Sequence, residues 1–185
     1  MSSYSRNSRK TTQAVQLAFA AALLAGSTAF AADLPRTFEL TAFSNTAAGE
    51  SLVHGQYETA LAQLAIDART VQRDSVTTNR CVAYTALHEL EAAHAACDLA
   101  VLEAQRELAS LSLSMTWARS DYRDYLAAAY SNRAVLNWVS KDTAAAQADL
   151  KKASAVAPKA EFVARNISVL ESHNAVAQVK VVPKS

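Results

Sequence analysis

Three asparagines, Asn79, Asn132 and Asn166, are the residues whose type and placement best suit a defined chemistry. Asn79 and Asn132 each stand fourteen residues before a small residue, Ala93 and Ala146, and Asn166 follows Asn132 by 34. A carboxamide carries both a donor and an acceptor, so it can pair with the N–H and C=O of an extended backbone whatever side chains that backbone bears. The same groups can equally bond within the elements that carry them, and the sequence leaves both roles open. Trp138 and Arg165 complete the candidate set, because an aromatic with an arginine nearby suits an interaction hot spot.

Groups suited to catalysis or metal binding are sparse. The histidines are His54, His88, His94 and His173. His88 and His94 are six apart, which puts them on different faces of a helix pair; chelation from one helix needs a spacing of four. No glycine-rich phosphate loop and no nucleophile elbow can be built from the glycines present. The run Asp121-Tyr122-Arg123-Asp124-Tyr125 reads as a solvated helix start. No catalytic residue, cofactor or metal is therefore expected, and the chain reads as a non-enzyme.

Cys81 and Cys97 are the only cysteines. Bridged, they would close a loop of about 16 residues and add about 3 kcal/mol. An antiparallel hairpin would set Cys81 level with Ala93, one turn from Cys97, which strains the roughly 7 Å limit between Cα atoms. Free thiols at small buried positions fit as well. A possible disulfide, Cys81 to Cys97, thus stands beside two free thiols.

The elements that must position these residues are helices. After Gly26, only Gly49 and Gly55 occur, and Pro35, Pro158 and Pro183 sit at edges. Ala and Leu dominate, and a β-branched run is absent until Val179-Lys180-Val181-Val182. The expected class is all-α. Ala60, Ala93 and Ala146 each follow a small residue by twelve (Ala48, Cys81, Ala134) and precede an apolar one by four (Leu64, Cys97, Leu150). Small residues at paired places let two helices approach closely, and the pattern describes one helical hairpin stacked several times.

Asn79-Arg80-Cys81-Val82-Ala83-Tyr84 leading to Leu90–Ala100 resembles the tetratricopeptide-repeat (TPR) family. So do Tyr130–Ala134 leading through Ala144–Ala146 to Ala153 and Pro158, and Gly55–Ala60. The resemblance spans residues 44–173. His88 and Lys141 stand where that family has a turn glycine. It implies about three TPR-like repeats of stacked antiparallel hairpins in a right-handed α-solenoid, with Ala160–His173 as a capping helix. It also implies a concave groove in which asparagines hold a peptide, with Val82, Val135, Val169, Trp138 and Arg165 on the same surface. The first period, 33 residues, is near the usual 34, but the second is 53. The excess places an insertion near 107–125: a lengthened helix, a turn at Ser110–Ser114 and an early start to the next helix.

The two ends read differently. Arg6, Arg9 and Lys10, an apolar stretch from Ala14 to Leu24, and Ala29-Phe30-Ala31 have the order of a secretory signal peptide over 1–31. Residues 32–43 follow as an extended leader, and 174–185 as a flexible tail. Removing the signal takes three positive charges from a net +1, leaving a slightly acidic chain with no footprint for nucleic acid or anionic membrane. The expected product is a periplasmic or secreted scaffold, exported by the general route, which binds a partner protein or peptide of unknown identity. The alternative is an accessory subunit of an envelope or secretion assembly.

Overall fold

The computed structural model describes residues 37–67, 73–112, 115–172 and 178–184. The signal-peptide expectation over 1–31, the first residues of the leader and His173 lie outside them. The described chain is mostly helical. Its order is β1 (Thr37–Phe43), α1 (Ala47–Val53), α2 (Tyr57–Asp67), α3 (Arg73–Ala86), α4 (Leu90–Ser110), α5 (Thr116–Val139), α6 (Thr143–Val156), α7 (Glu161–Glu171) and β2 (Gln178–Lys184).

Each helix packs on the next in sequence, with the closest associations inside the pairs α3/α4 and α5/α6. The pairs α1/α2, α3/α4 and α5/α6 are joined by the same turn. In each, one residue adopts positive φ: Gly55 (74°), His88 (59°) and Lys141 (67°). Its N–H bonds three residues back, to Leu52, Thr85 and Trp138, and the next N–H bonds five back, to Ser51, Tyr84 and Asn137. That bond pair is the Schellman closure of a helix C-terminus, which favours glycine because the left-handed region crowds a Cβ. Only the first turn has the glycine, so two of the three closures are made by residues with a side chain.

The small residues at matched places are all buried: Ala48, Cys81 and Ala134 against Ala60, Ala93 and Ala146, with Leu64, Cys97 and Leu150 beside them. α4 runs to Ser110 and α5 begins at Thr116, so the extra residues of the second period lengthen two antiparallel helices. Val101 and Ala104 of α4 meet Leu126 and Tyr130 of α5 in a cluster completed by Ala153 and Val163. Cys81 of α3 and Cys97 of α4 form a disulfide, their Cα atoms 4.6 Å apart. The helices cross closely enough at these small residues to remove the offset that idealised hairpin geometry implied.

The mostly helical body fits the all-α expectation, with one addition: β1 and β2 pair in parallel, from Thr37 opposite Gln178 to Phe43 opposite Lys184. Residues 178–184 are accordingly a strand and not a loose tail. The β-branched residues Val179, Val181 and Val182 suit that role, and the edge of β1 supplies the backbone partners that an isolated tail lacks.

Candidate functional site

β1 packs on α3, α5 and α7 and is bonded to them by the three asparagines. Asn166 Oδ1 accepts from Glu39 N–H at 2.8 Å, and its Nδ2 donates to Glu39 C=O at 2.9 Å. Asn132 does the same for Thr41 at 2.7 and 2.9 Å. Asn79 completes the series at Phe43, at 2.8 and 3.1 Å. In an extended strand, the N–H and C=O of one residue point to the same edge, and alternate residues repeat about every 6.7 Å. Helix axes pack 8–10 Å apart, so side chains leaning inward from α3, α5 and α7 can meet every second residue. The three amides are buried, and Asn166 Nδ2 also donates to Ser131 Oγ at 2.9 Å.

The side chains of β1 divide by face. Phe38, Leu40 and Ala42 enter a cluster with Leu52, Ala60, Val82, Ala83, Val135 and Val169, against which Trp138 also packs. The Phe38 and Trp138 rings are 4.7 Å apart. On the other face, Glu39 accepts from Arg165 Nε at 2.7 Å and pairs with Lys180 at 2.8 Å. The hydrogen bond that Arg165 donates to Glu39 raises the Arg165 pKa above its ordinary value, outweighing the opposing effect of burial. Phe43 meets the Tyr125 ring edge-on at 4.7 Å. Thr41 Oγ1 is the one buried side-chain oxygen among the described residues without a hydrogen-bond partner. The ladder therefore holds this strand by its backbone and leaves a hydroxyl unmatched.

All five residues proposed from the sequence, Asn79, Asn132, Asn166, Trp138 and Arg165, touch this one segment. What the sequence reading missed is that the segment is the chain's own. Its signal was present in Thr37-Phe38-Glu39-Leu40-Thr41-Ala42-Phe43, where apolar and polar residues alternate with the period of a half-buried strand. Gly49 was also informative. A methyl group there would overlap the Phe43 carbonyl, so α1 can close on the end of β1 only with glycine at that position.

A second charged cluster lies elsewhere. Arg133 donates twice to Asp149, at 2.7 and 2.9 Å, and once to Asp98 at 2.8 Å. Asn137 and Lys152 also reach Asp149. The Asp149 hydrogen bond raises the Arg133 pKa against the cost of burial. With every member engaged, the network ties α4, α5 and α6 together. The described residues hold no group of three or more His, Cys, Asp or Glu able to bind a metal, and no helix long and apolar enough to cross a membrane. His94 pairs with Ser140 at 3.2 Å. No family model, curated protein or solved structure matches this chain.

Proposed function

We propose that this chain is a non-catalytic, exported scaffold of TPR type that binds an extended segment of a partner protein on the face where its own sheet lies. The observation that carries this reading is the amide ladder, with six hydrogen bonds from three asparagines to alternate residues of an extended backbone. Such a clamp is indifferent to the sequence it holds, which suits a recognition surface built around strands. In this chain it fixes the leader, and the leader then presents its other edge. The Cys81–Cys97 disulfide supports an oxidising compartment, in keeping with an exported chain. The three repeated turns and their matched small residues support the TPR assignment.

A second reading, an accessory subunit of a larger assembly, draws on Leu99 and Leu102 of α4. Both are about two-fifths exposed, and they lie three residues apart on one helix. Photo-crosslinking from positions on the sheet face and from Leu99 and Leu102, in the chain's own compartment, separates the two. Crosslinks to one protein from the sheet face support the peptide scaffold, and crosslinks from α4 alone support the assembly subunit. Absence of crosslinks from the sheet face contradicts the first reading.

A further inference from the structure

The two strands of the sheet are seated differently. Phe38 to Phe43 are buried, whereas Val179 to Lys184 are half-buried or exposed. The asparagines occupy one edge of β1, where Glu39, Thr41 and Phe43 point their backbone groups. The opposite edge, with the backbone groups of Phe38, Leu40 and Ala42, faces β2. None of the six ladder bonds involves β2.

That edge also carries seats for particular side chains. Val179 and Val181 pack against the cluster that holds Phe38 and Leu40. Lys180 Nζ lies 2.8 Å from Glu39 Oε1, on a carboxylate whose side chain is only 5% exposed. Lys184 Nζ lies 3.6 Å from Asp124 Oδ2 and over the rings of Tyr125 and Phe162, at 5.9 and 6.0 Å. Asp121 and Asp124 line a cleft of about 410 Å³ with Phe43, Tyr125 and Lys184. Ser44 Oγ donates to the Lys184 carbonyl at 3.3 Å. The Asp121–Tyr125 segment, which reads in sequence as a solvated helix start, thus lies at the end of this edge.

We propose that the outer edge of β1 is a docking site for an extended segment of a partner protein that runs parallel to β1, and that β2 is the chain's own exchangeable occupant. The partner segment carries apolar residues at two alternate positions and basic residues four apart, the pattern Val179, Val181, Lys180 and Lys184 display. Backbone pairing along the edge supplies affinity, and the two seats supply selection, as in other cases of strand addition. This exchange rests on the scaffold proposed above and names its ligand class and its regulation. The tail lowers apparent affinity for the partner, because only chains with β2 released can bind.

A fluorescent peptide of sequence Gln178–Lys184 is titrated by anisotropy into the full mature chain and into its Lys180→Glu/Lys184→Glu variant. The variant keeps its parent's helical circular dichroism and binds the peptide up to about fivefold tighter, because its own tail competes less. A peptide with glutamate at both lysine positions binds neither protein. Equal affinity of the peptide for parent and variant, or equal binding of the two peptides, overturns the proposal. A variant that unfolds also overturns it, since a strand on which the fold depends is not an exchangeable occupant. In a second form, a protease site placed within 173–177 is cut after folding; the freed tail exchanges for the labelled peptide, and a tail that never leaves contradicts the proposal. Sheet-face crosslinking to a partner without peptide exchange removes this site and leaves the scaffold reading standing. Exchange without such crosslinks supports the site and counts against the scaffold reading.

Discussion

β1 and β2 are each seven residues long and share one ladder, yet they are fixed by different means. β1 has a partner on both edges, three carboxamides on one and β2 on the other, and three apolar side chains in the core. β2 has the edge of β1, two valines against the cluster and two lysines on acidic seats. Two strands that pair with each other need not open together. In this molecule the amide ladder makes one strand part of the helical body and leaves the second held by backbone pairing and ion pairs. Under the proposed function, a groove filled by its own chain can still serve recognition, because filling it creates a second strand edge.

The sharpest way to break the comparison is to remove the middle asparagine. Asn132→Ala orphans the buried N–H and C=O of Thr41, and each unmatched group costs about 1–3 kcal/mol, so the loss in urea unfolding free energy is about 2–6 kcal/mol. A loss below about 1 kcal/mol would show that water or a shifted strand satisfies those groups. Next in size is the disulfide. Reducing it, or replacing both cysteines with alanine, costs about 3 kcal/mol, read as a lower midpoint in the same titration. That change loosens α3 against α4 and leaves the identity of the strand partners unaltered.

Thr41→Val has the opposite sign. It exchanges an unmatched buried hydroxyl for a methyl of similar size and stabilises the fold by about 1 kcal/mol, measured by thermal or urea unfolding. Destabilisation would show that the hydroxyl has a use. The smallest effect is expected on β2. Lys180→Glu/Lys184→Glu removes the Lys180–Glu39 and Lys184–Asp124 pairs, each with one partner about half exposed, and such solvent-screened pairs are worth about 0–1 kcal/mol, so global stability falls by about 1 kcal/mol or less. A loss as large as that of Asn132→Ala would erase the distinction between the strands.

Much of the helical body was legible from spacing. The twelve-residue interval between Ala48 and Ala60, repeated in Cys81/Ala93 and Ala134/Ala146, marks the paired small positions because close helix contact tolerates little else there. The donor–acceptor symmetry of Asn79, Asn132 and Asn166 allowed an extended backbone as their partner, beside bonds within their own hairpins. It could not show whose backbone, because the partner lies 36, 91 and 127 residues away along the chain, and periodicity reports nothing across such distances. The strand at 178–184 was hidden for a related reason. Its alternation is short, and its stability comes from an edge contributed by the other end of the sequence. The disulfide turned on how closely α3 and α4 cross, which a residue count does not contain.

Amide hydrogen exchange on the intact chain, followed residue by residue, tests the central claim most directly. The N–H groups of Glu39, Thr41 and Phe43 are bonded to the asparagines and should exchange only at the free energy of global unfolding. Those of Leu40 and Ala42 face β2 and should exchange at a lower free energy, through opening of β2 alone. An odd–even alternation of protection along β1 is the predicted result. Uniform protection from 39 to 43 would mean that the two strands open as one unit, and would contradict the account.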